Sequence, residues 1–172
     1  MEYHIKNIIE HFQFEKLPVE GTFFKQTYKS PIMDAQNIPL STSMIGMYCH
    51  SPLSFSCFHR LTQDEVWHFY FGDPLVLYLF YPDGKTTEVI MGHEFEKGQV
   101  IQYTVPAGVW QAGGTIKEGA YSVFGCTLSP GFTSNSFLAA SKNDLINQYP
   151  HKREIIEQFT VKDDELTLPS GY

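Results

Sequence analysis

Short strand-like runs alternate with explicit turn signals over most of the chain, and this alternation limits the possible folds more than any other feature. The runs lie at residues 22–29, 42–49, 53–60, 65–71, 75–81, 87–91, 99–105 and 121–128. Pro82-Asp83-Gly84 separates two of them. Pro pre-sets φ in such a turn and Gly supplies a positive φ. About eight short strands with tight turns and no helix between them predict an all-β barrel or jelly roll with a core over about residues 20–132.

Helices are expected only at the two ends. Ile5, Ile8, Ile9 and Phe12 follow the i, i+3, i+4, i+7 spacing, which predicts an amphipathic helix over about residues 3–13. Residues 142–160 form a predicted helical arm in two pieces, divided at Pro150. Residues 161–172 are expected to be a loose tail or an arm that reaches a partner subunit. No linker divides the chain, so residues 1–172 are predicted to form a single domain.

Charge and cysteine usage exclude several functions. The 172 residues carry a net charge of −7, without a basic stripe, so neither nucleic acid nor an anionic membrane is an expected partner. Cys49, Cys57 and Cys126 are odd in number and form no CxxC pair, which indicates free thiols in a reducing compartment. With neither a signal peptide nor an apolar run of membrane length, a cytoplasmic protein is expected.

Strand alternation selects the first candidate site. His59 lies on the more apolar face of its run with Cys57, and Glu65 shares a face with Trp67 and Phe69. His68 falls on the opposite face of that second run. A partly desolvated His–Glu pair beside aromatic rings suits acid–base catalysis by His59 and Glu65. The alternative is a hydrogen-bonded pair with a purely structural role in the core.

A second candidate follows the turn Pro106-Ala107-Gly108. There Trp110 offers a stacking surface and Gln111 offers a donor and an acceptor, so the two are interpreted as a binding wall. The alternative is an ordinary hairpin with a packed Trp. On an earlier strand, Lys25 and Tyr28 are further candidates for ligand binding or for an edge strand near a partner subunit.

Several segments together resemble a known family. They are residues 20–30, 59–61, 64–70 and 72–75, then 105–110 (VPAGVW) and 125–132 (GCTLSPGF). In this order they resemble the cupin superfamily, and most closely its cupin-5 type, a domain of unknown function. The resemblance extends over roughly residues 5–160. It implies a double-stranded β-helix, the RmlC-like cupin jelly roll, and a homodimer, but no specific activity.

The resemblance also implies where a metal would bind. Many cupins hold a metal with His-x-His, then Glu, then a further His after the Pro-x-Gly turn. Here the first position reads Cys57 and the last reads Gln111, which leaves His59 and Glu65 as the good matches. Gln is a poor ligand for zinc or iron. We therefore expect no cofactor, and a divalent metal on His59, Glu65, Gln111 and Cys57 is the alternative.

Without a metal, the dTDP-sugar epimerases are the natural comparison among more distant cupins. His59 would be a base held by Glu65 or Asp64, and the acid would be one of Tyr48, Tyr78 and Tyr28. The predicted ligand is a small polar, sugar-like or anionic molecule, with Lys25 and Arg60 as the nearby cations. The predicted ligand-binding residues are Lys25, Tyr28, Cys57, Trp67, Phe69, Tyr78, Trp110 and Gln111. A non-catalytic binding module is the remaining alternative.

Overall fold

Two antiparallel sheets make up most of the molecule. The computed structural model describes residues 2–160 and 166–169, so most of the tail expected at 161–172 lies outside the described residues. In the described part, one sheet has seven strands and the other has five. The architecture is the predicted all-β jelly roll, with short helices at its two ends.

The strand positions follow the turn signals of the sequence closely. The bounds are β1 Glu15–Lys16, β2 Phe23–Lys29, β3 Thr42–His50, β4 Leu53–Ser54, β5 Ser56–Leu61, β6 Glu65–Gly72, β7 Leu75–Phe80, β8 Thr86–Met91, β9 Gln102–Val105, β10 Trp110–Thr115, β11 Tyr121–Leu128 and β12 Phe137–Ala139. The seven-stranded sheet has the order β1-β2-β3-β11-β6-β9, with β4 paired to β3, and the five-stranded sheet has the order β12-β5-β10-β7-β8. The expected run at 53–60 is divided into β4 and β5. Strands β1, β10 and β12 were not among the predicted runs. The pairs β1–β2 and β12–β5 are short, and β10 carries two adjacent glycines, which weaken a strand pattern.

The predicted helices are present. Helix α1 covers Glu2–Phe12, α2 covers Lys142–Gln148 and α3 covers Arg153–Phe159. A single 3₁₀ turn at Pro150–Lys152 divides the last two, as expected from the missing N–H of Pro150. Two further 3₁₀ turns lie at Phe95–Lys97 and Ser134–Ser136. In the described residues, no helix is both long and apolar enough to cross a membrane.

The helices cover the outer faces of the sheets. Ile5 and Ile8 of α1 pack on Met47 and Val123 of the first sheet. Helices α2 and α3 cover the second sheet, where Tyr149 donates a 2.7 Å hydrogen bond to the carbonyl oxygen of Tyr81. The aromatic rings between the sheets include Tyr48, Trp67 and Phe124. Because helices cover the outer faces, we expect a ligand site in the space between the two sheets.

Three β-bulges change which side chains face that space. Gln111 pairs with His59 and Gly113 with Ser56, so β5 carries one extra residue between Ser56 and His59. A bulge in β2 lies between Gln26 and Tyr28. The third bulge, in β6, follows Phe69. Each extra residue reverses the alternation of faces beyond it, so simple parity does not hold along these strands.

Candidate functional site

A cavity of about 640 Å³ lies between the two sheets. His59, Glu65 and Trp67 are in its wall, and all three are among the residues that the sequence predicted for the site. The cavity also contacts Glu20 and Lys29, which were not predicted. Its apolar wall includes three aromatic rings outside the predicted set, Phe24, Phe132 and Phe137. The volume suits a ligand of the size of a monosaccharide or a larger metabolite.

His59 is held in one orientation. The residue is 3% exposed, and its Nδ1 lies 2.8 Å from the backbone oxygen of Cys57. A carbonyl oxygen only accepts, so Nδ1 carries the hydrogen, and in the neutral ring Nε2 keeps its lone pair. The ring of Phe137 stacks on the imidazole at 5.1 Å between centroids. In the residues that the structure describes, Nε2 has no hydrogen-bond partner. His59 is thus a fixed base with its reactive nitrogen unengaged by these residues.

Glu65 is the second titratable group of the cavity, 7% exposed. Its Oε2 accepts hydrogen bonds from Gln111 Nε2 at 2.6 Å and from Trp67 Nε1 at 3.1 Å. Burial raises the pKa of this carboxyl group, and the nearby charge of His59 offsets part of the increase. A carboxyl with a raised pKa keeps its proton to a higher pH, which is what a general acid requires.

Glu20 is a buried carboxylate that the sequence analysis did not assign to the site. It is 8% exposed and contacts the cavity. Its Oε1 accepts a hydrogen bond of 2.5 Å from the hydroxyl of Thr22 and another from the hydroxyl of Ser56. Its backbone oxygen accepts from the N–H of Cys57 at 3.0 Å. The only sequence signal was that Glu20 begins the first segment that resembles the cupin-5 type.

Tyr48 lies behind Glu20. The phenol is fully buried and donates to Ser56 Oγ at 2.8 Å, and Thr22 Oγ1 is also 2.8 Å from that oxygen. Burial, and then the charge of Glu20, raises the pKa of Tyr48 well above its usual value. Of the three tyrosines considered as the acid, only Tyr48 is linked to a described residue of the cavity wall, through Ser56 to Glu20, and it does not line the cavity itself.

The cation beside the cavity is Lys29 instead of Lys25. Phe24 and Gln26 contact the cavity, and alternation places Lys25 on the opposite face of β2. The bulge after Gln26 then turns Lys29 to the cavity side. Tyr28 is 50% exposed and is not part of the cavity wall.

Two other predicted residues lie on the outer face of the second sheet. Trp110 has the guanidinium of Arg60 over its ring, 4.6 Å from the centroid. Tyr78 packs against Phe159 of α3 at 5.2 Å between centroids. Neither contributes to the cavity wall. Arg60 therefore packs against a ring outside the cavity. Neither of the two cations predicted to hold the ligand, Lys25 and Arg60, lies in the cavity wall.

The remaining predicted residues lie near the cavity wall but not in it. Gln111 is buried behind Glu65 and orients that carboxyl group. Phe69 is buried among the interior rings, beside His93 at 5.0 Å between centroids. Cys57 is buried as well; burial, followed by the charge of Glu20, raises its pKa to about 12.

The donor set does not suit a metal ion. A metal on His59 and Glu65 would need Gln111 and Cys57 as further ligands. The side-chain amide of Gln111 instead bonds both Glu65 and Trp67. The raised pKa of Cys57 opposes the thiolate that metal binding requires. Throughout residues 2–160 and 166–169, no group of three His, Cys, Asp or Glu side chains converges as metal ligands.

Comparison with known proteins adds the family. A protein of Shewanella oneidensis, solved by X-ray crystallography, is 29% identical; the match covers 92% of this chain and 98% of that one, with a TM-score of 0.84. A hypothetical protein from Leishmania major is 26% identical over 91% of this chain and 98% of its own, with a TM-score of 0.82.

More distant structures share the fold alone. A cupin 2 conserved barrel domain protein from Rhodopseudomonas palustris is 12% identical over 84% of this chain and 83% of its own, with a TM-score of 0.55. No curated protein matches the sequence significantly. The family model described as "Cupin superfamily (DUF985)" matches residues 6–140. This chain therefore belongs to the cupin superfamily, in the family of unknown function DUF985.

Proposed function

We propose that this cupin binds a small polar molecule in the cavity and moves a proton on a carbon atom next to its carbonyl group, as an isomerase or epimerase does. The observation that carries the proposal is the position of His59 and Glu65 in the wall of one cavity. His59 presents an unprotonated Nε2 when neutral, while burial raises the pKa of Glu65. A base and an acid that face the same cavity are typical of proton-transfer enzymes.

The proposed step balances as follows. His59 Nε2 takes the proton from the carbon atom. The C–H electron pair becomes a carbon–carbon double bond, and the carbonyl π pair moves to the oxygen. Protonated Glu65 donates its proton to that oxygen or hydrogen-bonds it. Return of a proton to carbon, with the reverse electron movement, gives the isomer and restores both residues. Tyr48 takes no part in this step, since its hydroxyl is bonded to Ser56 and through it to Glu20.

Two further properties belong to the proposal. The three cysteines are free and buried in the described structure, which favours a cytoplasmic protein. A homodimer is favoured by Ile32, Met33 and Leu40, three exposed apolar residues from the segment between β2 and β3. Light scattering after size-exclusion chromatography tests the dimer, and a mass of one chain at micromolar concentration contradicts it.

Proton exchange with deuterated solvent tests the function. Aldoses, ketoses and 2-keto acids are incubated with the protein in deuterium oxide, and loss of the C–H signal is followed by NMR. We expect exchange with at least one class, and loss of that exchange in His59→Gln. Thermal stabilisation by a compound without any exchange would favour the non-catalytic binding module instead.

A further inference from the structure

The charges of the cavity wall restrict the ligand. Two carboxylate side chains contact the cavity, those of Glu15 and Glu20, while burial keeps the carboxyl group of Glu65 protonated to a higher pH. Among the described residues of the wall, the one ammonium group is that of Lys29. Lys29 is exposed, whereas Glu20 and Glu65 are both buried. The cations expected to hold an anionic ligand, Lys25 and Arg60, are outside this wall. A negatively charged ligand would lie beside the buried carboxylate of Glu20, and the described wall has no buried ammonium or guanidinium group, so its desolvation would have little compensation.

Glu20 supplies an acceptor that the described protein does not use. Both of its side-chain hydrogen bonds, from Thr22 and Ser56, reach Oε1. Within residues 2–160 and 166–169, Oε2 has no hydrogen-bond partner. No buried side-chain oxygen or nitrogen in this part of the protein lacks a partner, so the unpaired Oε2 is not fully buried, and Glu20 contacts the cavity. An accessible carboxylate oxygen accepts from a ligand hydroxyl or ammonium group.

The Glu20 carboxylate is also rigidly placed. Its main chain is bonded to Cys57, its side chain to Ser56 of the same strand, and Ser56 is in turn bonded by Tyr48. A carboxylate fixed on two sides loses little entropy when it binds a ligand. The flat rings of Trp67 and Phe137 complete the wall with apolar surface, which suits the C–H face of a sugar ring.

We infer that the ligand is a neutral or cationic polyhydroxy or amino compound of monosaccharide size, which donates a hydrogen bond to Glu20 Oε2, and that carboxylates and phosphates are rejected. This inference rests on the proposed function, since it takes the same cavity to be the ligand site. Glu20 is then a binding residue that selects the ligand by charge, separate from the proton-transfer pair.

Four probes on one sugar scaffold test the charge preference. Glucose is neutral, glucosamine is cationic, and glucuronate and glucose 6-phosphate are anionic, while the ring stays the same. Dissociation constants come from isothermal titration and from saturation-transfer NMR, with the wild type and with Glu20→Gln. Glu10→Gln on helix α1 is the matched control, since it removes the same charge at an exposed position.

The expected result is that glucose and glucosamine bind at least about tenfold more tightly than the two anions. Glu20→Gln should reduce the preference for glucosamine over glucuronate to less than about threefold, and Glu10→Gln should leave it unchanged. Tighter binding of either anion, or no binding of any probe at about 20 mM, overturns the inference. If circular dichroism shows that Glu20→Gln does not fold, the inference is tested by the order of the four dissociation constants of the wild type.

The outcomes separate this inference from the proposed function. His59-dependent exchange on an anionic 2-keto acid would retain the proposed function and overturn the inference. If the four probes bind in the expected order but no compound exchanges a proton with deuterated solvent, the inference stands and the proton-transfer proposal fails.

Discussion

Gln111 Nε2 donates a 2.6 Å hydrogen bond to Glu65 Oε2, and this bond joins the two sheets of the jelly roll. Gln111 lies on β10 of the second sheet, and Glu65 lies on β6 of the first. Trp67 Nε1 is 3.1 Å from both Glu65 Oε2 and Gln111 Oε1. The amide therefore fixes the carboxyl group that faces the cavity and satisfies the buried indole at the same time. Gln111 lies at the position where many cupins carry their last metal-binding His, and here it links the side chains of Glu65 and Trp67.

The first prediction concerns this link. Gln111→Met keeps the volume of the side chain but leaves buried polar atoms of Glu65 and Trp67 with fewer partners. The free energy of unfolding should fall by about 1–3 kcal/mol, measured by urea denaturation. Gln102→Met is the matched control because Gln102 is exposed and, among the described residues, its side chain makes only a long contact of 3.4 Å with His68. Equal losses in the two variants would contradict the structural role assigned to Gln111.

The second prediction concerns the pH dependence of stability. Burial raises the pKa of Glu65 above its unfolded value, so the folded protein binds this proton more tightly. The associated stability is fully present below the unfolded pKa and is lost as the pH rises through the folded pKa. Between the unfolded and the folded pKa, the contribution of Glu65 to the free energy of unfolding falls by on the order of 1 kcal/mol per pH unit. Urea unfolding of the wild type and Glu65→Gln across this window measures it.

The difference between the two proteins reports the titration of Glu65 together with its interaction with His59, because the other groups titrate in both. Glu65→Gln should gain stability relative to the wild type as the pH rises, since the amide has no proton to lose. A difference that is constant with pH, or one that moves in the opposite direction, would mean that the pKa of Glu65 is not raised.

The third prediction concerns the hydroxyl network behind the cavity. Tyr48 and Ser56 are joined by a 2.8 Å hydrogen bond, and Ser56 in turn bonds Glu20. Tyr48→Phe and Ser56→Ala should each destabilise the protein by about 1–3 kcal/mol. The double variant should lose less than the sum, with a coupling energy above about 0.5 kcal/mol. Additive losses would show that the two hydroxyls act independently.

Most of the strands and three residues of the cavity wall could be predicted from local patterns, whereas the rest of the wall could not. Pro-Gly turns and period-2 alternation located most of the strands, and alternation selected His59, Glu65 and Trp67. The bulges are not visible in the sequence, because an extra residue looks like any other residue of the strand. The bulge after Gln26 explains why Lys29 contacts the cavity although Lys25 was predicted.

Long-range contacts account for the other differences. Glu20 reaches the cavity from the turn between β1 and β2 because Ser56 and Cys57, more than thirty residues away, bind its side chain and backbone. Trp110 lies on the outer face because α2 and α3 form a second apolar layer there. Phe137 stacks on His59 from β12, a strand of three residues that carries too little pattern to be recognised.

The fourth prediction concerns the thiols. Cys49, Cys57 and Cys126 are all buried, and burial raises the pKa of each. Reaction requires the thiolate and access, so the folded protein should react with Ellman's reagent at least about tenfold more slowly than the protein in urea. The titration in urea should give three thiols per chain. Rapid reaction of one thiol in the folded state would contradict the burial described for it.

The most direct test of the central claim compares proton exchange by the wild type and three variants. The compound that the screen in deuterium oxide identifies is incubated with wild type, His59→Gln, Glu65→Gln and His68→Gln. His68 is the matched control, since it lies on the opposite face of β6 and is not in the cavity wall. We expect His59→Gln and Glu65→Gln each to lower the exchange rate by at least about 100-fold and His68→Gln to leave it within about twofold. An unchanged rate in His59→Gln, with the variant folded, would contradict the claim that His59 moves the proton.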